Sequence, residues 1–91
     1  MKVLVTGAAG FIGFHLIKAL LETDLSGKDH FIVGIDNLND YYDIGLKAER
    51  LKILNSASTP ENFTFIKLDL ADRDAMSNLF SDYQFDTVIN L

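Results

Sequence analysis

The sequence predicts an α/β domain: a doubly wound parallel sheet with helices over its faces. Three observations predict it. Four short runs rich in β-branched and aliphatic residues alternate with three stretches at helical spacing, in the order β-α-β-α-β-α-β. The strand-like runs are apolar at consecutive positions, the pattern of strands buried on both faces of a sheet. A glycine-rich turn separates the first run from the first helical stretch. Parallel strands joined through helices need right-handed crossovers, and these carry the helices onto the sheet faces.

Each element has its own signal. Lys2–Thr6 (KVLVT) is the first strand. From Phe11 to about Leu25, Ile12, Leu16, Ala19 and Leu20 recur at helical spacing, with Lys18 and Glu22 opposite, so this set is the expected inner face. Ser26-Gly27-Lys28-Asp29 breaks that pattern. His30–Asp36 (HFIVGID) is a second buried strand, and Asn37–Asp43 a polar loop holding Tyr41 and Tyr42. A helix is expected over Ile44–Asn55, capped by Asp43, with Ile44, Ala48, Leu51 and Leu54 as its apolar set. Ser56–Asn62, with the only proline, is a loop. Phe63–Asp69 (FTFIKLD) is the third strand. Asp72 can cap a helix whose inner face is Ala75, Met76, Leu79 and Phe80, and Asp86 leads into the fourth strand, Thr87–Leu91.

Composition narrows the function. Ninety-one residues hold one small domain, with no linker, repeat or low-complexity segment. A chain this short buries roughly 60–65% of its unfolded surface, so its stability is expected to be marginal. Hydrophobic residues at 48% and charged residues at 23% are a globular balance. A net charge of −5 argues against a surface for nucleic acid or anionic lipid. With no cysteine there is no disulfide framework and no thiolate metal site, and His15 and His30 are too few for a histidine cluster. No apolar run approaches the roughly 18 residues that span a bilayer. The N-terminal stretch after Lys2 is not read as a secretory signal, because Gly7, Gly10 and Gly13 recur in it and helical periodicity follows where a cleavage site belongs. A cytoplasmic protein is expected, and Asn62-Phe63-Thr64 is then a chance sequon. The last residues are strand-like and apolar with no covering helix after them, so the sequence is expected to be a fragment.

The chemistry is carried by Thr6–Gly13 (TGAAGFIG), which joins a strand to a helix. Free N–H groups and the helix dipole favour an anion there. In this reading Gly7 makes the tight turn, Gly10 lets a pyrophosphate approach the backbone, and Gly13 lets the helix lie against the strands. Phe11 and Ile12 supply amides between them. The spacing is GxxGxxG, with Ala8 where the commoner dinucleotide fingerprint has glycine, and no Gly-Lys-Ser/Thr of a P-loop follows. Asp36 ends the second strand 23 residues after Gly13, where a carboxylate can accept both hydroxyls of an adenosine ribose. It would repel a 2′-phosphate, since like charges about 4 Å apart repel by roughly 4 kcal/mol at an effective dielectric near 20. No Arg or Lys lies between Asp36 and Lys47, so NAD is favoured over NADP. Asp36-Asn37 would equally suit a turn. Asp69-Leu70, after the third strand, can meet an adenine through its carboxylate and the next N–H. Asp36, Asp40 and Asp43 lack the glycine and closing glutamate of a calcium loop. Asp69, Asp72 and Asp74 read as a strand end and a helix start, and His15 as a packed or partly exposed side chain. Tyr41-Tyr42 suits either a substrate-facing lip or a packing contact.

Together these residues resemble the extended short-chain dehydrogenase/reductase superfamily in its NAD-dependent epimerase/dehydratase branch. The resemblance covers the whole chain: TGxxGFIG at Thr6–Gly13, Asp36-Asn37 after the second strand, Asp69-Leu70 after the third, and Val88–Leu91 opening a fourth. It implies a Rossmann-like domain of which these residues are the N-terminal half, with strand order 3-2-1-4. It also implies NAD as cofactor, held by Gly7, Gly10, Phe11, Ile12, Gly13, Asp36, Asn37, Asp69 and Leu70. The stretch Asp36–Leu51 (DNLNDYYDIGLKAERL) is similar to nucleotide-sugar epimerases acting on UDP-glucuronate. Such enzymes would interconvert UDP-glucuronate and UDP-galacturonate through a 4-keto sugar, with the tyrosine of a Tyr-x-x-x-Lys motif as base. Four residues after Tyr41, Tyr42 and Tyr83 stand Gly45, Leu46 and Thr87, so no catalytic residue is assigned and this chain alone is expected to be inactive. The sugar site would lie beyond Leu91. Homo-oligomers are expected, with self-association through the bare edge of Thr87–Leu91. Two readings compete: a noncatalytic dinucleotide-sensing module of the same fold, and a structural domain whose glycines only shape a turn. A related dehydratase or decarboxylase is a third.

Overall fold

The computed structural model describes residues 1–23, 31–38, 44–59 and 62–91. Its elements are β1 (Lys2–Thr6), α1 (Phe11–Thr23), β2 (Phe31–Asp36), α2 (Ile44–Ser56), β3 (Phe63–Lys67), α3 (Arg73–Tyr83) and β4 (Thr87–Ile89). The four strands form one parallel sheet in the order β3-β2-β1-β4. Leu4 sits between Val33 on β2 and Val88 on β4, and Val33 faces Thr64 on β3.

Alternation along the strands divides the core. Val3, Val5, Ile32 and Phe63 pack on one face with Phe14 and Ile17 of α1 and Leu54 of α2. Leu4, Val33 and Ile35 point the other way, onto Leu79 and Met76 of α3. The sheet is therefore wound on both faces, as the consecutive apolar positions predict. Leu4, Val5, Ile32 and Val33 are wholly buried.

Several boundaries and faces differ from the sequence reading. On α1, Ile12 is 66% exposed and Ala19 is exposed, whereas Phe14 and Ile17 are buried and Leu16, Leu20 and Leu21 pack partly against the core. The helix is rotated because Gly13 lies against the carbonyl of Gly7, and that contact decides which stripe faces the sheet. On α2, Leu54 is buried and Leu51 half-buried, but Ala48 is exposed and Lys47 is buried. On α3, Phe80 is exposed while Leu79 is buried. β3 stops at Lys67: Leu68 N donates to Asp36 O at 3.1 Å, and Asp69 Oδ1 then accepts from Ala71 N at 2.9 Å, turning the chain out of the sheet. β4 stops at Ile89 because side chains take over the bonding. Thr6 Oγ1 donates to Asn90 Oδ1 at 2.7 Å and accepts from Leu91 N at 2.9 Å. The expected end of the first helix at Leu25, the break at 26–29, His30, the Asp43 cap and Tyr41-Tyr42 lie outside the described residues.

Asp72 does cap α3, its Oδ1 accepting from Ala75 N at 3.1 Å. The other end closes through Gln84, left-handed at φ 52°, whose N–H donates to Phe80 O. No described helix is long and apolar enough to cross a membrane.

Candidate functional site

The glycine turn runs from the C-terminal end of β1 into α1. Gly7 has φ +65°, the left-handed region open to glycine. Its carbonyl accepts from Gly10 N at 3.0 Å, and Ala8 N donates to Ile35 O at 3.0 Å, which ties the turn to the end of β2. The helix begins with Phe14 N donating to Gly10 O at 2.9 Å. The N–H groups of Phe11, Ile12 and Gly13 belong to the first turn, which has no intrahelical acceptors. A Cβ on Gly13 would overlap the Gly7 carbonyl oxygen, and one on Gly10 would stand 3.2 Å from that same atom. Here the backbone is drawn in tightly, and its amides are presented where the helix dipole is positive.

Asp36 joins three segments. Its Oδ2 accepts from Ala9 N at 3.1 Å, in the glycine turn. Its Oδ1 accepts from Leu38 N at 2.8 Å and from Lys47 Nζ at 3.1 Å. Leu38 is left-handed at φ 55°, which brings its N–H back to the carboxylate. Lys47 and Arg50 are the functional candidates that sequence reasoning missed. Lys47 is a buried cation in the first turn of α2, reaching back to the aspartate. Arg50, one turn later, donates from Nη1 to Ala9 O at 3.1 Å and holds its guanidinium carbon 5.8 Å from the centre of the Phe11 ring. The available signal was their i, i+3 spacing, which puts two cations on one side of a helix otherwise read for its leucines.

These groups surround one crevice of about 540 Å³. Gly7, Gly10, Phe11, Ile12 and Gly13 line it together with Asp36 and Asn37, and Lys47 and Arg50 join from α2. Asp69 and Leu70 line an adjoining cavity of about 160 Å³ that shares Gly7, Asp36 and Asn37. The nine residues expected from the sequence thus fall on two connected hollows at the C-terminal ends of β1, β2 and β3. Ligands of open α/β sheets bind in that position. Asp69 is exposed, with Oδ1 engaged by Ala71 N. His15 is exposed outside the crevice, edge-on to Phe11 at 4.7 Å and Phe14 at 4.9 Å. The arrangement fits a dinucleotide: amides for a diphosphate, a carboxylate with acceptor capacity for a ribose, and a smaller slot for a base.

A family model described as GDP-mannose 4,6 dehydratase matches residues 4–91. The chain is 54% identical over 88 residues to an uncharacterized 37.6 kDa protein of Escherichia coli O111:H-, covering 97% of this chain and 24% of that protein. It is 42% identical over 88 residues to the UDP-glucuronate 4-epimerase of Thermodesulfobacterium geofontis, covering 97% of this chain and 25% of that one. The chain therefore spans about a quarter of the length of these relatives. Among solved structures it superposes on the UDP-glucuronic acid 4-epimerase of Bacillus cereus, crystallised with UDP-glucuronic acid and NAD. That match has a TM-score of 0.79 and 38% identity, over 100% of this chain and 26% of the other.

Proposed function

This chain belongs to the GDP-mannose 4,6 dehydratase family, and from that premise we propose that it is the NAD-binding N-terminal part of a nucleotide-sugar epimerase. The observation that carries the proposal is the convergence of the first-turn amides of α1 and the Asp36 carboxylate on one crevice. The amides of Phe11, Ile12 and Gly13 receive the pyrophosphate. Asp36 accepts from the ribose. Asn37, Asp69 and Leu70 border the adenine. The relatives named as UDP-glucuronate 4-epimerases support UDP-glucuronate as the sugar nucleotide and UDP-galacturonate as its epimer.

NAD, when bound, supplies a reversible hydride acceptor for C4 of the sugar, which makes a 4-keto sugar the intermediate. This chain's residues hold the adenosine half and the pyrophosphate, and so fix where the other half of the cofactor projects. They supply no base, because no tyrosine here is followed by lysine four residues on. The base and the sugar pocket are assigned to sequence outside these 91 residues, and the chain alone is expected not to turn over substrate.

An NMR titration of this chain with NAD+ tests the reading. Shifts are expected to cluster at Gly7–Gly13, Asp36-Asn37 and Asp69-Leu70. A well-dispersed spectrum without shifts would overturn NAD binding by this chain.

A further inference from the structure

An aspartate at the end of β2 repels a 2′-phosphate only if its charge is unopposed. Here it is opposed. The side chains of Lys47 and Asp36 are 7% and 4% exposed and meet at 3.1 Å. Charges paired so closely with so little water between them are weakly screened, so each largely cancels the other's field. Among the described residues lining the crevice, the charged ones are Asp36, Lys47 and Arg50, two cations to one anion.

Hydrogen bonding points the same way. Among the described residues, Asp36 accepts two bonds on Oδ1 and one on Oδ2. A carboxylate offers about four acceptor positions, so the described residues leave about one, on Oδ2, for a ribose hydroxyl. Toward the described residues, Lys47 uses one of its three Nζ donors and Arg50 uses Nη1 on Ala9 O. Lys47 also stands in the first turn of α2, where the helix dipole disfavours a cation. Departures from local preference of this kind gather at functional sites.

We propose that Lys47 is a specificity-determining residue of the cofactor site, setting its tolerance for a 2′-phosphate by neutralising Asp36. The proposal rests on the NAD-binding reading above. It assigns the preference between NAD and NADP to the Asp36–Lys47 pair as a unit, not to the aspartate alone.

The test is calorimetric titration of wild type, Lys47→Met and the double variant Asp36→Asn/Lys47→Met with NAD+ and with NADP+, each variant checked for fold by circular dichroism. Lys47→Met is expected to move the affinity ratio toward NAD by about tenfold or more, because Asp36 then stands unopposed. The double variant removes both charges and is expected to keep the wild-type ratio within about threefold. An unchanged ratio in Lys47→Met would overturn the proposal. So would a shift of about tenfold toward NADP in the double variant, the result required if Asp36 acted alone. Should Lys47→Met not fold, the double variant, which leaves no unpaired charge, decides by itself. A wild-type chain that binds neither dinucleotide sinks the NAD-binding reading, and this proposal with it.

Discussion

Gly13 is where one atom decides most. A Cβ there would overlap the Gly7 carbonyl oxygen and stand 2.9 Å from its carbonyl carbon, both backbone atoms that cannot rotate away. Gly13→Ala is expected to destabilise the fold by about 1–3 kcal/mol, the usual range for overpacking, as read by urea denaturation. Gly10 is less crowded, its nearest neighbour 3.2 Å from an added Cβ. Gly10→Val should therefore leave a native circular dichroism spectrum while lowering NAD+ affinity by about tenfold or more, since a branched side chain fills the approach to the amides. A variant that bound normally would remove the turn from the site. Lys47→Met breaks a buried ion pair and is expected to lose about 3–5 kcal/mol, and Asp36→Asn/Lys47→Met clearly less, in the same denaturation assay. At this scale the aspartate was legible, because a strand end and its distance from the glycines locate it. The lysine was not. It is buried where it meets the Asp36 carboxylate at the end of β2, and a charged residue in a helical pattern reads as solvated until that approach is seen.

Helices and strands were legible in type and order, less so in extent and facing. Asp72 was readable as a cap from its place before Ala75-Met76, and it makes that bond at 3.1 Å. Asp72→Ala is expected to cost about 1 kcal/mol and lower the thermal midpoint by several degrees. An unchanged midpoint would mean that the α3 terminus gains nothing from the cap. α1 shows what apolar counting misses. Ile12 and Leu16 share a sequence stripe, yet Ile12 is 66% exposed at the crevice while Phe14 and Ile17 are buried. A glycine contact set the rotation, and hydrophobic spacing carries no information about close backbone approach. The strands overran for a related reason. Asp69 and Thr6 end their ladders through side-chain hydrogen bonds, which propensity does not register.

At the scale of the whole molecule, alternation and crossover handedness call for a parallel sheet wound on both faces, and the order β3-β2-β1-β4 is the one the family resemblance implies. Among the described residues β4 has no strand on its outer side, and Val88 is 46% and Leu91 51% exposed. Self-association through that edge is expected for this chain at high concentration, and Val88→Lys should abolish it, both read by light scattering. A wild-type sample that stayed monomeric would exclude the edge as an interface. The same strand has a consequence in time. β1 pairs with β2 from Lys2 to Phe31, and β2 with β3 from Ile32 to Phe63, both over moderate separations. β4 returns to pair Val3 with Thr87, close to where Lys2 and Asp86 bond across 84 residues of sequence. Closing the longest loop is the slowest step to nucleate. The three-strand ribbon β3-β2-β1 is therefore expected to form first, with β4 docking last. Pulse-labelling hydrogen exchange should protect Leu4 and Val33 early in refolding and Val88 and Ile89 late, so the Asp36 side of the crevice is assembled before its Leu91 side.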